Sequence, residues 1–73
     1  MNFWKKLRAK KKIKNNIQYL ESIKKRFVDD ITLDMDFYYK SADRLSVQML
    51  QQTMDYSIKL IDRIINEQKN KLT

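Results

Sequence analysis

Taken at about 100° per residue, the apolar positions of the first half of the chain fall on one line. Ile13, Ile17, Leu20, Phe27 and Ile31 share a stripe, with Val28 at its edge and Lys24 interrupting it. This i, i+3, i+4, i+7 spacing predicts a first core helix over residues 13–30 with a single buried face. Trp4 and Leu7 lie a third of a turn or more from the centre of that stripe, and Phe3 about a quarter-turn. Residues 1–12 therefore read as a basic appendage, helical when bound, and residues 13–73 as the folded domain.

The next stretch, "DDITLDMDFYYKS", supports more than one reading. Ile31, Leu33, Met35, Phe37 and Tyr39 alternate with Thr32, Asp34, Asp36 and Tyr38, which is the period of a strand. A lone strand has nothing to pair with unless a second copy supplies an edge. The reading adopted is an Asp-rich connection over residues 32–40. A helix running straight through is the alternative, because Met35, Tyr38, Ala42 and Leu45 stay near the first stripe. Ser41, with Asp43 in the first turn, suits an N-cap for the following helix.

Beyond Ser41 two apolar stripes run side by side. Val47, Leu50, Met54, Ile58, Ile61, Ile65 and Leu72 form the stronger one. Met49, Tyr56, Leu60 and Ile64 form a second on another side. A helix apolar on two faces has to be covered from two directions. The first helix covers one, and a second copy of the chain is the simplest cover for the other. The expected fold is all-α: a helical hairpin that dimerises into a four-helix bundle, with a basic N-terminal arm.

Composition agrees with this picture. There is no Gly and no Pro in 73 residues, so hairpin sheets lack their turn residues. A chain this short buries only roughly 60% of its unfolded surface. With no Cys and no His, neither a disulfide nor a thiolate or imidazole zinc site can staple it, which leaves oligomerisation. No apolar h-region follows the charged start, and no run approaches a membrane span, so a cytoplasmic location is expected.

Chemistry has few groups to work with. General acid–base catalysis near neutral pH lacks a histidine, nucleophilic catalysis lacks a cysteine, and no Gly-rich loop cradles a phosphate. Asp29, Asp30, Asp34 and Asp36 cluster in sequence; they read as solvated turn and helix-start residues rather than metal ligands. Ser41, Ser46 and Ser57 have no base nearby in sequence. No enzyme activity, cofactor or metal is expected. Within "YSIKLIDRIINE", Ser57, Leu60 and Asp62 are similar to the Ser-x-x-Leu-Asp signature of the small sporulation-linked aspartyl-phosphate phosphatases, which are helical hairpins. Ile61 is inserted here, which turns Asp62 about 100° off the face the signature uses. The match covers about a dozen residues, that family's Gly-bearing turn is missing, and the chain is not assigned to it.

Charge supplies the functional signal. Residues 1–26 carry a net charge of +9 and residues 27–73 a net of −2, so the overall +7 belongs to one end. Lys5, Lys6, Arg8, Lys10, Lys11, Lys12 and Lys14 can neutralise phosphates and release counterions. Phe3, Trp4 and Tyr19 can stack on bases or wedge into a groove. Lysine outnumbers arginine six to one in the arm, which favours phosphate contact over base readout. The preferred reading is a small regulatory or accessory protein that engages nucleic acid, or a nucleoprotein complex, through Phe3, Trp4 and these seven cations. One alternative is a protein-interaction module that grips a partner through Met49, Tyr56, Leu60 and Ile64. Another is attachment to an anionic membrane surface, with Phe3, Trp4 and Leu7 inserted. Lys11 and Lys14 cut across that apolar side.

Overall fold

The computed structural model describes residues 2–72. They form two helices that pack antiparallel as a hairpin: α1, Phe3–Lys40, and α2, Arg44–Asn70. No strand occurs among the described residues.

α1 is longer than the periodicity predicted, at both ends. It begins at Phe3 because Asn2 stands in extended backbone (φ −73°, ψ 148°) and its Oδ1 accepts the Trp4 N–H at 2.7 Å, satisfying one of the first-turn donors. No break separates residues 3–12 from the core segment, so the boundary drawn after residue 12 falls inside a continuous helix. At the other end the helix runs through residues 32–40, and the Asp-rich connection expected there is not formed. The reason lies in which side chains pack. Ile31 is buried, and Met35 and Tyr38 are half-buried, continuing the 3.6-residue stripe. Leu33, Phe37 and Tyr39, which created the strand-like alternation, stay in solvent at 70%, 64% and 75% exposure. With no edge to pair with, the helical periodicity wins.

The chain reverses in three residues, 41–43. Ala42 takes a left-handed backbone (φ 57°), donating its N–H to the Tyr39 carbonyl at 3.1 Å. The Asp43 N–H reaches back to Tyr38 O at 2.9 Å. These are the paired 5→2 and 6→1 bonds of a Schellman motif, built here on alanine where glycine is usual. Ser41 is therefore the C-cap of α1, its hydroxyl bonded to Phe37 O at 3.0 Å, and not the N-cap of α2. That role belongs to Asp43: its Oδ1 accepts the Ser46 N–H at 3.1 Å and its Oδ2 accepts the Ser46 hydroxyl at 2.7 Å.

The core between the helices is thin. Ile17, Ile31 and Ile65 are buried, and Ile13, Leu20, Phe27, Val47, Leu50, Met54, Ile58 and Ile61 are half-buried along the same seam. Lys24, the polar break in the first stripe, crosses that seam and donates to Asp62 Oδ1 at 2.6 Å. Its aliphatic stem covers apolar surface while its charge finds a carboxylate at the edge. Asp62 thus serves an interhelix ion pair.

Candidate nucleic-acid interface

At about 1.5 Å per residue α1 is some 57 Å long and α2 some 40 Å. The long axis of the molecule, 60 Å, is essentially α1 alone. Because the helices start level at the turn, the first ~16 Å of α1 extends past the end of α2. Residues 2–12 are all exposed, and protection begins at Ile13. The basic segment is thus a single projecting helix, continuous with the hairpin.

Around that helix the cations occupy most sides. At about 100° per residue Lys5, Lys6, Arg8, Lys10, Lys11, Lys12 and Lys14 leave one uncharged arc of about 100°, between Lys5 and Lys6 on the side that continues the packed stripe, and no other arc wider than about 60°. Phe3 and Trp4 sit at the very end, 68% and 66% exposed, their rings edge to face with centroids 5.8 Å apart. Leu7 is next along the same side. No acidic residue occupies the first turn. Cations at a helix N-terminus oppose its macrodipole, by about 0.3–1 kcal/mol each at low ionic strength. An anionic partner relieves this repulsion. Tyr19, also 67% exposed, lies beside α2 and not on the projection.

The second stripe of α2 is where the periodicity placed it. Met49, Tyr56 and Ile64 are exposed at 59%, 66% and 43%, and Leu60 is half-buried. Leu45, at 68% exposure, extends the stripe toward the turn; the 49–56–60–64 spacing could have been read one step further back to include it. Leu33 and Phe37 on α1 are further exposed apolar groups that only the helical course of residues 32–40 reveals. A folded monomer of 9.0 kDa is expected to expose about 4,850 Å². This chain exposes 6374 Å², an excess of roughly 1,500 Å² over that expectation.

Among the described residues no group of three or more His, Cys, Asp or Glu is arranged to hold a metal ion. Asp36 pairs with Lys40 at 2.9 Å within one helix turn. No described helix is long and apolar enough to cross a membrane. At the start of α2, hydrogen bonds from the Ser46 hydroxyl and then its backbone N–H hold Asp43 below the ordinary value of 3.8, a structural role.

These features define an antiparallel two-helix hairpin with a cationic helical extension. No family model matches the chain, and no curated protein and no solved structure matches it.

Proposed function

We propose that this protein is a dimeric accessory factor that holds nucleic-acid phosphates on its projecting helix. One observation carries the reading: residues 3–12 form exposed helix, beyond the reach of α2, with lysine or arginine through Lys14 spread over all but about 100° of its circumference. A helix of about 10–12 Å diameter fits a duplex major groove about 12 Å wide, between two rows of phosphates. Cations on both flanks suit that setting. A helix lying on lipid needs one uninterrupted apolar side, and Lys10, Lys11 and Lys14 break the side that Phe3 and Leu7 begin. The preponderance of lysine supports backbone contact without base readout. Self-association through Met49, Tyr56, Leu60 and Ile64 fits the excess exposed area, since a stable interface removes about 800 Å² from each partner.

The experiment is a salt titration of binding to a fluorescent duplex, read by anisotropy. A helix lying in a groove presents roughly four of its seven cations to phosphates, and each contributes about −0.9 to the log–log slope, giving a slope of about −3.5 per arm. Deleting residues 2–12 leaves only Lys14 of the seven and should bring the slope to −1 or shallower, with the hairpin still helical by circular dichroism. Unchanged binding by the truncated chain refutes the reading. So does a blue shift of Trp4 emission on anionic vesicles with none on duplex at equal charge, which assigns the arm to a membrane surface. Sedimentation equilibrium tests the dimer: a strict monomer at high micromolar concentration removes that part of the proposal.

A further inference from the structure

The two flanks of the hairpin are unlike. On one, Thr32, Asp36, Val47 and Gln51 line a groove near the turn, and Lys24 reaches Asp62. The second stripe of α2 is rotated roughly 130° from its packed face, toward the opposite flank. There it adjoins the half-buried Ile23 and Phe27 of α1. This is the apolar flank left without cover inside one chain.

Two patterns on that flank have a centre. Met49 and Ile64 are equally far from position 56.5 of α2, and so are Thr53 and Leu60, so Tyr56 stands at the midpoint. The charges divide about the same level. Asp30 and Asp34 lie at it and on the turn side, whereas Arg26, Arg63 and Lys12 lie toward the open end with Glu67 as the single acid. We infer that a second copy covers this flank antiparallel, about a two-fold axis passing beside Tyr56. Met49 of one copy then faces Ile64 of the other, Leu60 faces Thr53, and the acidic half of each flank meets the basic half of its partner. A parallel two-fold sets acid level with acid and base level with base, which opposite-charge steering disfavours. The apolar stripe supplies the contact, and the charges choose its direction.

This inference rests on the dimer proposed above and adds its geometry. Its consequence is functional. From the level of Tyr56 to the middle of the projecting helix is about 21 residues of α1, or ~32 Å, so the two cationic helices leave opposite ends with midpoints roughly 60 Å apart. A dimer so built bridges two duplex segments, whereas a parallel one presents both helices to a single segment.

Cysteine cross-linking tests the geometry cleanly, because the chain has no cysteine of its own. Tyr56→Cys, Met49→Cys and Ile64→Cys all fall at exposed positions, so the hairpin itself keeps its core. In the antiparallel dimer, Met49 of one copy is ~22 Å along the axis from Met49 of the other, far beyond the ~7 Å limit for a disulfide. The expected result under mild oxidation is a covalent dimer from Tyr56→Cys alone and from Met49→Cys mixed with Ile64→Cys. Met49→Cys alone and Ile64→Cys alone should give none. Efficient self-linking of both Met49→Cys and Ile64→Cys overturns the antiparallel arrangement and leaves the dimer standing. Monomeric sedimentation of the unmodified chain, with no cross-link in any variant, overturns the dimer and the geometry with it.

Discussion

The turn between the helices places a chiral residue where the backbone favours an achiral one, and replacing Ala42 with glycine tests that account. Ala42 has φ 57°, in the left-handed region, where the Cβ crowds the following carbonyl at a cost of about 1–2 kcal/mol. Glycine removes that crowding and keeps the Ala42 N–H to Tyr39 O and Asp43 N–H to Tyr38 O bonds, since both use backbone atoms. Against this gain stands the greater freedom of glycine in the unfolded chain, worth about 0.5–1 kcal/mol. The residue is exposed, so no packing is lost. The net expectation is stabilisation by about 0.5–1 kcal/mol. At about 2.1 cal/mol/K per residue the unfolding entropy of this chain is roughly 150 cal/mol/K, so Tm should rise by about 3–7 °C. Thermal unfolding followed at 222 nm measures this, with both proteins at the same concentration so that the proposed self-association contributes equally to both. Ala42→Val should move in the other direction, since a β-branched side chain tolerates positive φ worst. A glycine variant that melts at or below the parent temperature refutes the assignment of Ala42 as a strained C-cap.

Two further outcomes follow from the packing and the cap. The Lys24–Asp62 pair is the ion pair that ties the helices across the seam, and its side chains are 34% and 46% exposed; a double-mutant cycle with Lys24→Met and Asp62→Asn should return a coupling of about 0.2–1 kcal/mol that shrinks in high salt, and zero coupling would mean that the pair only decorates the surface. For Asp43, hydrogen bonds from Ser46 lower the folded pKa, so its contribution is fully present above the ordinary aspartate value of 3.8 and is lost as pH falls through the lower folded value. Asp43→Asn should therefore melt below the parent near neutral pH, with the gap closing at strongly acid pH; a gap independent of pH contradicts the capping role.

Much of the architecture is a matter of residue number alone. On a helix the azimuth of a side chain depends only on its position in the chain, so the packed stripe of α2 and the exposed run from Met49 to Ile64 are visible before any contact is known. Missing Gly and Pro remove the competing sheet, and seven cations within the first fourteen residues cannot be buried wherever the backbone goes. The site of the turn is different. Ser41 and Asp43 are both good N-caps, and residues 32–40 satisfy both a two-residue and a 3.6-residue period, so local preferences worth about 1 kcal/mol compete without a clear winner. Packing of Met35 and Tyr38 against α2 settles it, by carrying α1 past the aspartates to Lys40 and leaving Ser41 to close that helix. Lys24 is the sharpest case. Along the chain it is a flaw in an apolar stripe; its partner is 38 positions away, and only the folding back of α2 brings that carboxylate within reach.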